Sequence, residues 1–418
     1  VNTSADINVA DLDITTNGAG IGQSGASTLE VIATGNVTAT SDGDVNITAV
    51  ADNGLTIETI DAGTNTVDLT TSGNNTANVI DDSDGGTDIT VSSLIVSSAG
   101  DIDLDTDVTT NASASINIDE ADGVDIAGIS TAATSTFTLD AFGNITDSGN
   151  IEVTGLATFN ANNGNSTLTL GDGGVTTNFG SLDFKGSTVQ ITEASNMALA
   201  ASEATGALTL NAGTNDITQT GVLSADSTVD LTGGAITLEE ANVLGAITVN
   251  TGAGNVGITE DDTTNGMDIA AITRTSGDLS LNNAANAIDQ SGVIDIATGA
   301  TDLTGGAITL NEDNVLGAIT VNTGAGNVSI TEDDTTNGMD IAAITRTSGD
   351  LSLNNAANAI DQSGVIDIAT GATDLTGGAI TLNEDNVLGA ITVNTGAGNV
   401  SITEDDTTNG MDIAAITR

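Results

Sequence analysis

The segment LTGGAITLNEDNVLGAITVN, at residues 303–322, belongs to the clearest internal repeat of this chain. It occurs 72 residues earlier as LTGGAITLEEANVLGAITVN. The complete units 231–302 and 303–374 differ at only three positions, which are Glu239/Asn311, Ala241/Asp313 and Gly257/Ser329. Residues 375–418 continue the pattern without a change. Self-similarity at a fixed period of this size predicts an array of stacked structural units.

A five-residue signature, IDQSG, extends the repeat towards the N-terminus. It occurs at 288–292 and 360–364, and the related segments are ITQTG at 217–221, ITDSG at 145–149, IDDSD at 80–84 and IGQSG at 21–25. Successive spacings drift between 59 and 72 residues. We therefore predict one continuous array over residues 1–418, a fragment of a longer protein. Its approximate units are 1–60, 61–125, 126–197, 198–230 (partial), 231–302, 303–374 and 375–418 (partial).

Short alternating runs fill each unit. Examples are GAITL at 306–310, GAITV at 317–321 and DLSL at 350–353. Apolar residues two apart indicate strands with one buried face, and the Gly, Asn and Asp clusters between them favour turns. We predict an all-β fold, a right-handed parallel β-helix (β-solenoid), with about three strands per rung and about three rungs per 72-residue repeat. Identical surface groups would then recur about every 14 Å.

The composition favours a narrow aliphatic core. The chain has no Pro, Cys, His, Trp or Tyr and only five Phe, whereas a compact core of this size normally uses aromatic side chains. The alternative fold is a string of β-sandwich domains, one per unit. The drifting unit length disfavours it, because a solenoid can shorten a turn more easily than a sandwich can lose a strand.

The charge limits the partners. The net charge is −54, from 58 acidic residues and four basic ones, Lys185, Arg274, Arg346 and Arg418. This balance excludes nucleic acid, whose binding needs Lys and Arg to displace counterions, and it disfavours anionic membrane surfaces. No apolar run is long enough for a membrane helix, so we expect no membrane insertion.

The acidic turn TEDDTTNGMD is the candidate cation site. A cation such as Ca²⁺ takes six to eight oxygen ligands, and we expect no other cofactor. The alternative is a solvated turn that keeps the protein soluble, and neither the EF-hand pattern nor the calcium nonapeptide repeat is present. The candidate residues are Glu260, Asp261, Asp262, Asp268, Glu332, Asp333, Asp334, Asp340, Glu404, Asp405, Asp406 and Asp412.

A second acidic run, DIDLDTD at 101–107, places four Asp residues at alternate positions. Paired carboxylates suggest glycoside hydrolysis, but the plainer interpretation is the solvent face of a strand. A glycan-cleaving β-helix would also need aromatic platforms and basic residues near the acids, and the sequence shows neither pattern. We expect no catalytic residues. Asn pairs such as Asn282/Asn283 and Asn354/Asn355 are predicted to form amide ladders between rungs.

Longer phrases resemble a known family. GNITDSGNIEVTGLATFNA at 143–161, together with residues 206–250 and 348–386, is similar to large bacterial exoproteins of the filamentous haemagglutinin type and to giant β-strand-repeat surface adhesins. The resemblance implies a right-handed parallel β-helix, export across an outer membrane, and an adhesive or scaffold role. The secretion domain of such exoproteins is not recognisable in this sequence.

The sequence is compatible with three functions. The first is the non-catalytic shaft of a large secreted or cell-surface bacterial fibre, which holds an adhesive region away from the cell. The second is a self-assembling extracellular filament or sheath subunit, and the third is a carbohydrate-active enzyme on a β-helix. The expected partners are further repeats of the same protein, or copies of it in fibres, and a host or neighbouring-cell surface.

Overall fold

The computed structural model describes most of the chain. The described residues are 5–23, 28–50, 54–71, 79–81, 89–90, 93–98, 102–103, 106–108, 115–120, 123–126, 129–131, 136–261, 264–284, 286–334, 336–356, 358–396, 398–407 and 410–418. They form two compact units, Val1–Gly213 and Thr214–Arg418. Within the described residues the regular elements are β-strands and one short 3-10 turn, and their recorded strand pairs are parallel.

The first unit contains strands β1 to β24 and the 3-10 turn Asn162–Gly164. The strands are β1 (Ile7–Val9), β2 (Leu12–Thr16), β3 (Leu29–Ala33), β4 (Asn36–Ser41), β5 (Val45–Ala49), β6 (Leu55–Asp61), β7 (Thr66–Thr71), β8 (Val79–Asp81), β9 (Ile89–Thr90), β10 (Ser93–Ser98), β11 (Ile102–Asp103), β12 (Thr106–Val108), β13 (Ser115–Glu120), β14 (Val124–Ile126), β15 (Ile129–Thr131), β16 (Thr136–Ala141), β17 (Ile145–Asp147), β18 (Ile151–Ala161), β19 (Leu168–Leu170), β20 (Thr177–Gly186), β21 (Val189–Thr192), β22 (Met197–Leu199), β23 (Ser202–Ala204) and β24 (Leu208–Asn211).

The second unit contains strands β25 to β45. They are β25 (Ile217–Gln219), β26 (Leu223–Gly233), β27 (Ile236–Thr251), β28 (Val256–Glu260), β29 (Met267–Arg274), β30 (Leu279–Asn283), β31 (Ile288–Gln290), β32 (Ile294–Ile296), β33 (Ala300–Gly305), β34 (Ile308–Asn314), β35 (Ala318–Thr323), β36 (Val328–Glu332), β37 (Met339–Arg346), β38 (Leu351–Asn355), β39 (Ile360–Gln362), β40 (Ile366–Ile368), β41 (Ala372–Gly377), β42 (Ile380–Asn386), β43 (Ala390–Thr395), β44 (Val400–Glu404) and β45 (Ile413–Thr417).

The first unit stacks its strands in register, with alternate side chains turned inward. Phe137 lies over Ala157, which lies over Leu182 in the next turn. The rings of Phe137 and Phe159 are 5.3 Å apart between centroids, and those of Phe159 and Phe179 are 5.6 Å apart. The scarce aromatic side chains are thus concentrated in one part of this core, where they bury the most apolar area per residue.

The second unit builds two columns of stacked strands. Column A runs through β25, the start of β27, β28, β30, β33, β35, β37, β39, β42 and β44. Column B runs through the ends of β26 and β27, then β29, β31, β34, β36, β38, β41, β43 and β45. Along the chain the columns alternate, so each turn supplies one strand to each. The short strands β32 and β40 add a third segment to some turns.

The prediction of an all-β parallel solenoid is confirmed, and the structure refines its count. Each 72-residue repeat supplies seven column strands, an odd number, so the next repeat starts in the other column. Ile236 lies in column A, its equivalent Ile308 in column B, and Ile380 again in column A, seven turns beyond Ile236. One repeat therefore occupies 3.5 turns.

This half-turn offset changes the expected spacing of surface groups. With turns about 4.8 Å apart, equivalent residues recur in the same column only every ~34 Å, and the intervening copy lies in the other column. The predicted recurrence of identical surface groups about every 14 Å therefore does not hold within one column of the second unit.

Close stacking explains why some turns require glycine. A Cβ atom on Gly317 would lie 1.5 Å from the carbonyl oxygen of Gly299 in the adjacent turn, and one on Gly389 would lie 1.5 Å from that of Gly371. Any side chain at these corners would force the turns apart and break the ladder of backbone hydrogen bonds.

Candidate functional site

The acidic turns begin at the ends of β28, β36 and β44, and their glutamates face the core instead of the turn. Glu260 and Glu332 are 3% and 2% exposed. Their Oε1 atoms accept hydrogen bonds from the backbone N–H of Leu244 at 2.7 Å and of Leu316 at 2.8 Å. Each carboxyl group thus replaces a strand partner for a backbone donor that the ladder leaves unpaired.

Burial controls the protonation of these glutamates. It raises the pKa of Glu332 to about 8, although the bond from Leu316 N–H opposes the rise and the charges of Asp334 and Asp340 add to it. Burial also raises the pKa of Glu404, whose Oε1 accepts from Leu388 N–H at 3.2 Å. At neutral pH Glu332 therefore carries a proton and acts as a neutral hydrogen-bonding group, not as an anionic cation ligand.

The aspartates that follow shape the turn itself. The backbone N–H of Asp333 donates to Asn314 O at 2.8 Å, which continues the ladder by one residue. Asp334 is only 7% exposed, and its Oδ1 accepts from the backbone N–H groups of Thr336 at 2.7 Å and Asn337 at 3.1 Å. This is the local side-chain to backbone bonding by which Asp favours turns. Asp262, the candidate in the first copy, lies outside the described residues.

The last aspartate of each candidate set lies on the next strand. Asp268 is in register with Asp289 of the adjacent turn, and Asp340 is in register with Asp361. Ser291 Oγ donates to Asp268 at 3.2 Å. In the third copy, Asp405 and Asp412 are exposed and Asp406 is half-buried.

The candidate carboxylates thus lie in three environments. The glutamate is directed into the core, the turn aspartate accepts hydrogen bonds from the backbone of its own turn, and the last aspartate lies in register with an aspartate of the adjacent strand. Among the described residues, no group of three or more acidic side chains is arranged to hold a metal ion.

The first residue of each acidic segment accepts a hydrogen bond from a buried Asn that is paired with a half-buried Gln. We call these amide pairs the amide spine: Gln219/Asn242, Gln290/Asn314 and Gln362/Asn386. Gln290 Nε2 donates to Asn314 Oδ1 at 2.9 Å, and Asn314 Nδ2 donates back to Gln290 Oε1 at 2.9 Å. Asn314 Oδ1 also accepts from Ile294 N–H, and Nδ2 also donates to Thr331 O, at 2.9 and 3.0 Å. One side chain therefore links three successive turns.

The amide spine explains the IDQSG signature. Ile288 is buried and Asp289 faces solvent. Gln290 is the Gln member of the amide spine, and its Nε2 also donates to Gly292 O at 2.6 Å. The sequence predicted the repetition of this segment but assigned it no structural role. The signal was the recurrence of Gln and Asn at constant positions in every 72-residue unit.

The predicted amide ladders do not form at the positions proposed. Asn283 and Asn355 are fully buried, but the next turn places Gly305 and Gly377 over them. In the DIDLDTD run, Asp101 and Asp105 lie outside the described residues, while Asp103 and Asp107 belong to β11 and β12.

Two of the four basic residues are buried at corners of the second unit. Arg274 and Arg346 are each 2% exposed. Arg274 Nη2 donates to Gly254 O at 2.6 Å and Ser276 O at 3.1 Å, and Arg346 makes the equivalent bonds. Burial lowers the pKa of both groups. These arginines fasten the turn after β29 and β37 and are not available to an anionic partner.

The first unit uses the same device with a different spacing. Glu193 is 2% exposed, and its Oε1 accepts from Phe179 N–H at 3.0 Å and from Ser195 Oγ at 2.7 Å. Burial raises the pKa of Glu193 to about 7, against the lowering effect of these two bonds. Buried glutamates that accept hydrogen bonds from backbone donors are thus common to both units, which indicates a structural role.

The fold and these networks define a β-solenoid built from sequence repeats. A family profile described as repeats of unknown function (DUF5649) matches residues 111–181, 186–251, 253–323 and 325–403, well over half of the chain. The chain belongs to this family. No curated protein and no solved structure showed a significant match. The described residues contain no helix of the length and hydrophobicity that crossing a bilayer requires.

Proposed function

We propose that this chain is the non-catalytic shaft of a large secreted or cell-surface fibrous protein of bacteria, similar to filamentous haemagglutinin, which holds an adhesive region away from the cell. The main support is that consecutive repeats form the same set of internal contacts. The amide spine, the buried glutamate and the buried arginine recur at the same positions in consecutive repeats.

The differences between the two complete repeats support a spacer role. All of them lie on outward or half-buried positions. Two of them act together, because Ser329 Oγ donates to Asn311 Oδ1 at 2.7 Å across adjacent turns, where the earlier copy has Gly257 beside Glu239. Such changes preserve stacking and leave length as the selected property.

The proposed partners follow from this role. Further repeats of the same protein continue the solenoid, and the distal region contacts a host or neighbouring cell. Divalent cations such as Ca²⁺ serve as counterions of the acidic surface, and nucleic acid and membrane interiors are not partners.

The test adds one more copy of residues 303–374 to the full chain. Each added copy should lengthen the particle by about 17 Å, from 3.5 turns of ~4.8 Å, measured by small-angle scattering and electron microscopy. Antibodies against the chain should also label intact source cells. End-to-end polymers of the unaltered chain would favour the filament or sheath subunit instead, and an unchanged particle length would reject the shaft.

A further inference from the structure

The turn after β16 carries an exposed aromatic ring where related turns carry Gly or Asn. Phe142 is 74% exposed, whereas the other four Phe side chains are buried. The segment Asp140–Ala141–Phe142 is in register with Asn160–Ala161 and precedes its turn as Asn160–Ala161–Asn162 does in the next turn, and it is similar in sequence to Asn211–Ala212–Gly213. The fold therefore does not need a large apolar side chain at this corner.

Phe142 borders a recess on the surface of the first unit. Its volume is about 270 Å³, near the lower end of the ~300–1,000 Å³ typical of small-molecule sites. The recess spans two turns, because Asp140 and Asn160 are in register on neighbouring strands. The residues that line it are Asp140, Ala141, Phe142, Asn160, Asn162 and Asn163.

The polar wall of the recess is held in an unusual backbone conformation. Asn162 and Asn163 have φ values of 50° and 49°, the left-handed region that few residues other than Gly adopt. Asn165 donates to Asn162 O from its backbone at 3.0 Å and from its side chain at 2.8 Å. Thr205, in the bend directly after β23, donates from its Oγ1 to Gly164 O at 2.8 Å and stabilises the turn.

Lys185 fixes the orientation of one amide in this wall. Its Nζ donates to Asn163 Oδ1 at 3.3 Å and is paired with Glu203 Oε2 at 3.1 Å. With its oxygen engaged by Lys185, the Asn163 side chain keeps its Nδ2 as a donor for a further partner. A preorganised donor beside an exposed ring is what a small polar ligand with one apolar face needs.

We propose that this recess binds a pyranose ring of a neutral oligosaccharide. The C–H face of a pyranose packs on an aromatic face, which carries negative partial charge. Its hydroxyl groups can both donate and accept, which suits the carboxylate of Asp140 and the amides of Asn162 and Asn163. The Asn160 amide instead orients Asp140, because its Nδ2 donates to Asp140 Oδ1. The net charge of −54 favours neutral glycans over acidic ones.

The recess is built for binding and not for cleavage. Its lining contains one carboxylate, Asp140, whose Oδ1 already accepts from Asn160 Nδ2 at 2.5 Å. Glycoside hydrolysis generally uses a pair of carboxyl groups that flank the scissile bond. The binding inference does not depend on the proposed shaft role.

The absence of Trp from the chain permits a clean test. In the Phe142→Trp variant of the 418-residue chain, the introduced indole should change fluorescence when cellopentaose, chitopentaose, mannopentaose or a galactan oligomer binds. Calorimetry on the unaltered chain should give the same ligand preference. Phe142→Ala and Asn163→Ala should each weaken binding about tenfold or more, with unchanged circular dichroism, whereas Val293→Ala, an exposed apolar change in the second unit, should not.

Two results would overturn the inference. One is a lack of binding by every neutral glycan of the panel to both the unaltered chain and the Trp variant. The other is unaltered glycan affinity in Phe142→Ala. Self-association that is lost in Phe142→Ala, without any glycan response, would assign the ring to contacts between copies instead.

Discussion

Gln290 and Asn314 lock each other across one turn of the solenoid. Each side chain donates one hydrogen bond to the other, and both bonds are 2.9 Å long. Because Asn314 is fully buried and also bonds the backbone of Ile294 and Thr331, the pair connects four strands, β31, β32, β34 and β36, in three successive turns. Buried networks of this kind are costly to interrupt.

Asn314→Ala should therefore destabilise its turns by about 2–4 kcal/mol, because Gln290 and Ile294 N–H lose their partners in the core. Asn322→Ala, on the exposed side of β35, is the matched control and should change stability by less than about 0.5 kcal/mol. Urea unfolding and hydrogen exchange at the neighbouring strands measure both effects. Equal exchange rates in the two variants would contradict the role of the amide spine.

Stability should fall as pH rises from about 4.5 towards 8. The pKa of Glu332 is raised in the folded protein to about 8, from 4.5, so the folded state binds more protons than the unfolded state across this interval and loses that advantage as pH increases. A tenfold difference in proton affinity between the folded and unfolded states is worth at most about 1.4 kcal/mol of stability. Thermal melting between pH 5 and pH 9 measures the slope.

Glu332→Gln is the control for this pH dependence. The amide keeps the acceptor for Leu316 N–H and cannot ionise, so the variant should lose less stability between pH 5 and pH 9 than the unaltered chain. An identical loss in both proteins would show that Glu332 does not contribute. Glu312→Gln, an exposed change, should leave the slope almost unaltered.

Relief of like-charge stacking should stabilise the second unit. Asp361→Asn removes the repulsion with Asp340 in the adjacent turn, and we expect a gain of about 0.2–1 kcal/mol at low salt that shrinks as salt is added. Asp302→Asn is the matched control, since Asp302 is in register with Ser280 and Thr320. A gain of the same size in both variants would indicate general charge relief.

The half-turn offset predicts where equivalent residues lie. Because the chain has no Cys, single cysteines introduced in place of Thr237, Thr309 and Thr381 can each carry a spin label. These three residues occupy the same position in three repeats. The pair at 237 and 381 should be about 34 Å apart, before label length is added, as seven turns in one column. Labels at 237 and 309 should report on opposite columns, and a short same-side distance of about 14 Å would restore three turns per repeat.

The sequence sufficed for the fold class because the alternation of residues such as Ile308 and Leu310 states directly which face is buried, and the repeat excludes most other architectures. The number of turns per repeat was harder. Two short strands, β40 (Ile366–Ile368) and β39 (Ile360–Gln362), look alike in sequence, but only β39 continues a column. Treating both as equal strands and assuming about three strands per turn gives about three turns per repeat, which hides the half-turn.

The candidate site shows the same limit. The acidic neighbours of Glu332 in sequence suggest that its side chain is exposed to solvent. Glu332 is instead buried, because its Oε1 accepts a hydrogen bond from the backbone N–H of Leu316, which lacks a strand partner. Such an unpaired donor is visible only after two turns are stacked. Likewise, the exposure of Phe142 and its position beside Lys185-bound Asn163 depend on register across turns, which residue order alone does not give.

The odd number of strands in each repeat has a consequence for how the protein evolves. Duplicating one 72-residue repeat places the new copy of each side chain in the other column, and only a second duplication places a copy in the original column. A mutation that is copied with the repeat therefore occurs alternately in column A and column B. The charges of the repeat are then distributed over both columns of the second unit, so adding or removing repeats in pairs keeps the two columns equally charged.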